Sequence, residues 1–338
     1  MKLNEIPPYT DSYFTRARFT CAHAGNNRRV VYQVFQRGDA VLCGVKHAME
    51  LLRQTGPEVE VEGLADGDRI AAMESVLHIH GPIQELVELE TVYLGLLSRM
   101  TRVATNVRAV VDAAQGKPVL FFPARFDVPE AQAYDGYAAK IGGALGASTP
   151  AGAAAFGAAA VGTMPHALIA AFRGDTVAAT LALAGATPDQ TIWALVDFEN
   201  DSARTSVEVY KALKQRGLEL AGVRLDTATA LVDKGVEEAG QKLTGVNPLL
   251  VEIVRRRLDE AGGTGVKIAA SGGFNPEKIR DFERAGARVD IYAVGENAFS
   301  GSTPFTSDVV GYHESGGFVR CAKVGREYRP NPRMTKLK

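Results

Sequence analysis

The second part of the chain alternates short apolar runs with helical patterns, and this alternation limits the possible folds more than any other feature. Between Gly116 and about residue 300, five apolar runs have the length typical of buried strands. They are Pro118–Phe122, Ile192–Val196, Leu218–Leu225, Val266–Ser271 and Asp290–Val294. Helical patterns lie near 201–215, 247–261 and 276–285. Because parallel strands need helical crossovers, this order predicts a parallel sheet or an α/β barrel.

The first part of the chain has a different pattern, which predicts a separate α+β domain. Strand-like runs at Val30–Phe35, in EVEVEG and in SVLHIHG precede a long helical pattern over Ile83–Ala114. After residue 300 the alternation stops, and Ser307–Lys338 is Gly-rich and basic. We therefore predict an α+β domain at 1–115, a catalytic α/β barrel at 116–300, and a segment 301–338 that returns to the first domain.

Composition excludes several classes of protein. The 338 residues carry 38 basic and 39 acidic side chains, a balance that argues against a nucleic-acid binder. The segment Ile141–Gly162 is mostly Ala and Gly but is interrupted by Ser148-Thr149-Pro150. We interpret it not as a membrane span but as small residues that let backbones approach each other or a ligand. Three separated cysteines without a CxxC pair fit a reducing compartment, and we expect a cytoplasmic protein.

Each predicted strand of the barrel ends in a charged residue or a glycine turn. In α/β folds chemistry takes place where strands end, so these positions are the candidate site. Asp197, Glu199 and Asp226 follow two of the strands. Such carboxylates could bind Mg²⁺, hold ribose hydroxyls or stabilise a developing cation. A single acid at a strand end is more often a helix cap, which leaves the simpler alternative open for each residue alone.

Two glycine turns follow the last two strands, Ser271-Gly272-Gly273 and Gly295-Glu296. Each lies between a strand and a helical pattern, where backbone N–H groups and a helix N-terminus can hold a phosphate. The alternative is that glycine only permits a tight corner at these points.

One histidine, His166, follows the turn Gly162-Thr163-Met164-Pro165 at the predicted start of a helix. An imidazole can serve there as acid, base, ligand or nucleophile near neutral pH. A histidine at a helix start is also commonly a capping or packing residue, so both interpretations remain.

Several motifs together resemble the nicotinate phosphoribosyltransferases, type II phosphoribosyltransferases of NAD salvage. The resemblance covers roughly residues 10–326 and keeps the order of the motifs. The motifs are TDSYF, Phe122-x-x-Arg125, IGGALGAST, GTMPHALI, VRLDT, SGGFNPEKI and AVGENAF.

The resemblance implies a fold, an activity and partners. The fold is an irregular α/β barrel plus an N-terminal open-faced α+β sandwich domain that the C-terminal segment completes. The implied enzyme joins nicotinate to phosphoribosyl pyrophosphate (PRPP), giving nicotinate mononucleotide and pyrophosphate. It uses Mg²⁺ and couples the transfer, in the manner of a ligase, to hydrolysis of ATP. A homodimer or larger homo-oligomer with shared active sites is implied as well.

The resemblance also implies roles for individual residues. His166 matches a histidine that is transiently phosphorylated, beside the catalytic carboxylates Asp197 and Asp226. Phe122 matches a ring that stacks on the pyridine, and Tyr13 a second ring wall donated across a dimer interface. The remaining substrate-binding residues are Arg125, Glu199, Arg224, Ser271, Gly272, Gly273, Gly295 and Glu296, of which the three glycines match the 5′-phosphate cradle.

Two alternatives remain. Quinolinate phosphoribosyltransferase shares the fold and decarboxylates its substrate, but a dicarboxylate calls for several basic residues, and the sequence indicates chiefly Arg125, with Lys140 uncertain. That reaction also needs no phosphohistidine. The other alternative is a barrel that only binds a phosphorylated metabolite, which the three strand-end carboxylates disfavour.

The resemblance also argues against nicotinamide as the substrate. Nicotinamide-using relatives have an acidic residue that binds the amide nitrogen, and this chain has Leu145 at that position.

Overall fold

The computed structural model of the protein describes residues 2–315 and 317–337. The chain forms two compact units, one made of Met1–Asn106 with Ser300–Lys338 and the other of Val107–Phe299. The first contains an antiparallel sheet and the second a parallel sheet with helical crossovers. This confirms the predicted fold class.

The strands and helices are numbered along the chain. The strands are β1 Arg29–Gln36, β2 Ala40–Val41, β3 Glu60–Gly63, β4 Arg69–Ile70, β5 Ser75–Pro82, β6 Val119–Phe121, β7 Gly146–Ala147, β8 Trp193–Leu195, β9 Gly222–Leu225, β10 Lys267–Ala270, β11 Ile291–Val294, β12 Phe305–Glu314, β13 Gly317–Arg320 and β14 Thr335–Leu337. The helices are α1 Ser12–His23, α2 Val45–Leu52, α3 Ile83–Leu86, α4 Glu90–Ala113, α5 Gln132–Gly142, α6 Pro150–Ala153, α7 His166–Ala171, α8 Thr176–Ala186, α9 Ser202–Gln215, α10 Lys234–Glu238, α11 Pro248–Glu260 and α12 Pro276–Arg284.

The first unit is built on a six-stranded sheet in the order β13-β12-β1-β5-β3-β14. Its pairs are antiparallel, and the C-terminal strands β12 and β14 lie against β1 and β3. Alternate residues of β1, namely Val30, Tyr32 and Val34, enter a core shared with residues of α2 and α4. The C-terminal segment therefore completes the sheet of the N-terminal unit, as the resemblance implied.

The second unit is built on a six-stranded parallel sheet in the order β7-β6-β11-β10-β9-β8. Within the described residues β7 and β8 remain unpaired edges, which gives an incomplete barrel. Val223, Leu225, Ile268 and Tyr292 are buried in its core. Since helices cover a parallel sheet, its strands are apolar on both faces, which explains why the sequence pattern found them.

The Ala/Gly-rich segment is where the sequence pattern and the structure differ. The five predicted strands occur as β6, β8, β9, β10 and β11, and α7 begins at His166 as predicted, but β7 and helices α5, α6 and α8 had no counterpart in the predicted pattern. Runs of Ala and Gly carry too little apolar contrast to show a helical period. In the described part of the chain, no helix has the length and apolar character needed to cross a membrane.

Small residues in this segment allow two helices to touch through their backbones. Gly136 of α5 is buried against Gly152 of α6, and a Cβ atom at Gly136 would lie 2.6 Å from the Gly152 Cα and closer still to its carbonyl oxygen. Such a contact leaves no room for a methyl group. The expectation of close-packed backbone is confirmed at Gly152.

We expect the substitution Gly136→Ala to lower stability, because the added methyl group overlaps main-chain atoms that cannot move aside like a side chain. Overpacking of this kind costs about 1–3 kcal/mol. The control is Gly95→Ala in α4, where nothing lies within 4 Å of the added Cβ and alanine gains about 0.8–1 kcal/mol of helix propensity. Thermal unfolding of both variants measures the difference, and equal midpoints would contradict the packing argument.

Candidate active site

The carboxyl ends of β8, β9 and β10 bring together acidic, basic and hydroxyl side chains from distant parts of the sequence. Leu225 pairs with Ala270 in the parallel ladder, so the next residues, Asp226 and Ser271, emerge side by side. Arg224 and Asp226 are two positions apart on one strand and therefore face the same side, while Leu225 between them points into the core. This register creates the centre of the site.

Arg224 is held by three acceptors from three different segments. Its Nη2 donates to Asp226 Oδ2 at 2.7 Å, its Nε to Ser271 Oγ at 3.0 Å and its Nη1 to Thr163 Oγ1 at 3.2 Å. The guanidinium carbon also lies 5.8 Å from the centre of the Phe122 ring. A planar fork with these partners has essentially one orientation.

Ser271 links the arginine to the carboxylate. Its hydroxyl accepts from Arg224 Nε and lies 2.6 Å from Asp226 Oδ1, to which it can donate. Its own backbone N–H donates to the Leu225 carbonyl at 2.9 Å. Both oxygens of Asp226 thus have a partner, which fixes the carboxylate as firmly as the guanidinium.

The second carboxylate, Asp197, is paired with His166. The imidazole Nε2 lies 3.1 and 3.2 Å from the two oxygens of Asp197. The aspartate side chain is only 7% exposed, whereas that of the histidine is 45% exposed. Burial raises the pKa of Asp197, and the charge of Asp226 raises it further, while His166 opposes both effects. The histidine therefore favours the ionised form of Asp197.

The glycine turn after β10 presents free backbone donors. Gly272 and Gly273 have φ angles of +90° and +67°, which side-chain-bearing residues rarely adopt. Within the described residues, the N–H groups of Gly272, Gly273 and Phe274 form no hydrogen bond. Successive free N–H groups beside a helix N-terminus are a typical anion-binding arrangement. Lys278 of α12, which the sequence analysis did not single out, donates to the Gly272 carbonyl at 3.0 Å.

The turn after β11 is closely packed against the segment that follows β6. A Cβ atom at Gly295 would overlap the Phe122 carbonyl oxygen and lie 2.6 Å from the ring of Phe126. The N–H of Phe122 donates to the Val294 carbonyl at 2.7 Å, which places its half-buried ring at the end of the sheet. Glycine is therefore required at position 295 by the close approach of these two segments.

Four predicted residues are not joined to this cluster by the contacts of the structure. The Glu199 carboxylate pairs with Arg204, which also binds Asp201 and Glu208 of the α9 region. Arg125 is exposed with its guanidinium 5.4 Å from the Phe126 ring centre, and Glu296 is exposed at the start of a short 3-10 helix. Tyr13 belongs to the other unit, on α1, and is 59% exposed. Their roles stay predictions.

Thr163 is the functional residue that the sequence analysis named only as part of a motif. It lies three residues before His166, and its hydroxyl accepts from Arg224. The extended segment that carries Thr163 and the start of α7 thus contacts both the β8 and the β9 strand ends. The Gly-Thr-x-x-His spacing was the available signal, because it places a second hydrogen-bonding side chain three residues before the histidine.

The comparisons with known proteins give two kinds of relatives. A crystal structure of nicotinate-nucleotide pyrophosphorylase from Pyrococcus furiosus is 31% identical, with a TM-score of 0.80, over 94% of this chain and 77% of that one. A nicotinate phosphoribosyltransferase of Mycobacterium tuberculosis is 29% identical over 74% of this chain and 52% of its own length. A probable nicotinate-nucleotide pyrophosphorylase of Methanothermobacter thermautotrophicus is 26% identical over 34% of this chain and 42% of its own. Three curated relatives align with 69–74% of this chain, and they are longer proteins. The chain spans about half of their length.

The family models correct the activity that the sequence resemblance implied. The N-terminal and C-terminal domains of quinolinate phosphoribosyl transferase match residues 11–101 and 103–303. The prediction of an ATP-dependent nicotinate phosphoribosyltransferase, with nicotinate as substrate, ATP as co-substrate and a ligase-type coupling, is therefore wrong. The prediction of ATP coupling came from the Gly-Thr-x-x-His motif alone, through which the resemblance assigned His166 as a phosphoryl acceptor; in the structure Nε2 of this histidine is paired with Asp197. The chain belongs to the quinolinate phosphoribosyl transferase family.

Proposed function

We propose that the protein is a quinolinate phosphoribosyltransferase that acts without ATP. The pyridine nitrogen of quinolinate would bond to C1 of the ribose of PRPP as the bond from C1 to pyrophosphate breaks. The 2-carboxyl group then leaves as carbon dioxide, its electron pair stays on C2 next to the positively charged ring nitrogen, and a proton replaces it. The products are nicotinate mononucleotide, pyrophosphate and carbon dioxide. Membership of the family supports this reaction.

The observation that carries the proposal is the guanidinium of Arg224 beside Phe122. A dicarboxylate needs more than one cation, and the sequence offered chiefly Arg125 near the expected pyridine site. In the structure Arg224 lies beside the Phe122 ring, 5.8 Å from its centre, although the two residues are far apart in the sequence. A planar guanidinium matches a carboxylate through two parallel hydrogen bonds. Arg224 uses three of the five N–H groups of its guanidinium on Ser271, Thr163 and Asp226. The remaining N–H groups of Nη1 and Nη2 would bind one carboxylate of quinolinate, and Arg125 would bind the other.

The carboxylates suit the transfer step. Loss of pyrophosphate develops positive charge on the ribose, and fixed negative groups stabilise that charge in the transition state. Asp197 and Asp226 are close enough for the charge of one to raise the pKa of the other. His166 would hold Asp197 ionised, a role that requires no phosphorylation of the imidazole.

Magnesium would depend on the substrate for much of its coordination. Among residues 2–315 and 317–337, no group of three or more His, Cys, Asp or Glu side chains could hold a metal ion. Mg²⁺ commonly binds through one or two carboxylates together with substrate phosphates. Asp197 suits such a site because its two oxygens share one imidazole nitrogen, Nε2 of His166, and the ion would support the departing pyrophosphate.

A second copy of the chain would complete the site. Helix α1 has no buried residue, and Tyr13 and Phe19 on it are 59% and 65% exposed. We assign Tyr13 as an aromatic residue that lines the pyridine site of a partner subunit in a homodimer or larger homo-oligomer, as the resemblance implied. Because the chain spans about half the length of its curated relatives, the activity and the assembly of the whole protein are both part of the proposal.

The direct test is an assay of pyrophosphate and carbon dioxide release from PRPP and Mg²⁺ with quinolinate, nicotinate or nicotinamide, each with and without ATP. We expect release of both products with quinolinate alone and no stimulation by ATP. Turnover of nicotinate without quinolinate turnover would contradict the proposal. Absence of pyrophosphate release with every base would support a barrel that only binds a phosphorylated metabolite.

We expect Arg224→Lys to lower kcat/KM for quinolinate roughly a hundredfold, because a single ammonium group cannot replace a fork with three fixed partners. The matched control is Arg288→Lys, an exposed arginine that pairs with Glu252 and Asp259 elsewhere in the same unit. Steady-state kinetics of both variants check the prediction. Equal losses in the two would show that the Arg224 fork has no particular role.

We expect His166→Ala to move the acidic limb of the pH–rate profile to higher pH. Removing the imidazole deletes the interaction that lowers the pKa of Asp197, so the pKa rises and the carboxylate becomes protonated at a higher pH as acid is added. The profile of kcat/KM for PRPP measures the limb, with His23→Ala on the exposed helix α1 as control. A limb that shifts to lower pH or stays in place would refute this role of His166.

A further inference from the structure

Lys278 lies behind the glycine turn that follows β10. Its ammonium group donates to the Gly272 carbonyl at 3.0 Å and lies 4.4 Å from the centre of the Phe274 ring. Its backbone N–H donates to the Asn275 side chain at 2.8 Å, in the N-terminal cap of α12. One residue therefore binds the turn through its side chain and the cap through its main chain.

The hydrogen bond to Gly272 sets the direction of a neighbouring donor. In a trans peptide the carbonyl of one residue and the N–H of the next point in opposite directions. With the Gly272 carbonyl turned towards Lys278, the Gly273 N–H is turned away from it. The φ angles of +90° and +67° at these glycines leave the peptide few other restraints, so the orientation depends on what binds its carbonyl.

We propose that Lys278 is a positioning residue that holds the Gly272–Gly273 peptide with its N–H directed at the 5′-phosphate of PRPP. This inference rests on the proposed function, since it concerns the same site. The lysine acts from behind the turn and does not itself contact the substrate. Its positive charge adds to that of the helix N-terminus on the side remote from the phosphate.

The surroundings of Lys278 favour this role over that of a solvated surface charge. The side chain is partly buried between the Phe274 and Phe282 rings, 4.4 and 5.9 Å from their centres. Burial lowers the pKa of its ammonium group, a cost that an exposed lysine would not bear. A methionine of similar length would pack against both rings without losing a hydration shell. The hydrogen bond to the Gly272 carbonyl therefore accounts for a lysine at this position.

The experiment compares Lys278→Met, which keeps the length but loses the donor, with Lys278→Arg, which keeps both charge and donor. We expect Lys278→Met to raise the KM for PRPP and the Kd for ribose 5-phosphate about tenfold, the effect of losing one well-placed hydrogen bond. The KM for quinolinate and kcat should change less than about twofold, because the phosphate is remote from the reacting bond. Lys278→Arg should restore most of the affinity.

The matched control is Lys267→Met, an exposed lysine at the opposite end of the same strand, β10. Should Lys278→Met not fold, Lys278→Gln keeps a neutral donor and should show a smaller rise in both constants.

Calorimetry with ribose 5-phosphate separates this inference from the proposed function, because it requires no turnover. A wild-type protein that binds ribose 5-phosphate but does not use quinolinate would refute the function alone. Unchanged binding in Lys278→Met, or no binding of ribose 5-phosphate by the wild type, would overturn the role of Lys278.

Discussion

The hydrogen-bonded unit of Arg224, Asp226 and Ser271 is the constraint on which the rest of the site depends. It forms because β9 and β10 run in parallel with Leu225 opposite Ala270, and a shift of one residue would turn Arg224 into the core. Thr163 then attaches the segment before α7 to the same guanidinium, and His166 at the start of α7 reaches Asp197. The position of the histidine is thus tied to the register of two strands.

Much of the fold could be predicted because its strongest signals are local. Buried parallel strands are short continuous apolar runs, and they were found as β6, β8, β9, β10 and β11. The edge strand β7 has only two residues, Gly146 and Ala147, and neither residue type favours a strand. Its existence depends on pairing with β6, an interaction between distant segments that no local pattern contains.

The site was predictable in its residue types but not in its partnerships. The position after each strand identified Asp197, Asp226 and the glycine turns, because parallel strands bring their carboxyl ends together. The same reasoning could not distinguish Glu199 from Asp197. The two residues are two positions apart, but in the structure the Glu199 carboxylate binds Arg204 and not the residues of the site. Nor could it place Arg224 beside Phe122. Only Arg125 was indicated clearly for the pyridine site, and this, together with the resemblance and His166, favoured a monocarboxylate substrate.

The charges of the site balance one another before any substrate arrives. Arg224 is paired with Asp226, and His166 with Asp197, so each of these basic side chains already has a carboxylate beside it. The backbone N–H groups of the Gly272 turn form no hydrogen bond in the described structure, and these donors are neutral. Such dipoles bind an anion without the repulsion or desolvation that a cluster of bare cations would bring. An anion can therefore be held at this turn by main-chain dipoles, without a local excess of basic side chains, which is consistent with the net charge of −1 of the chain.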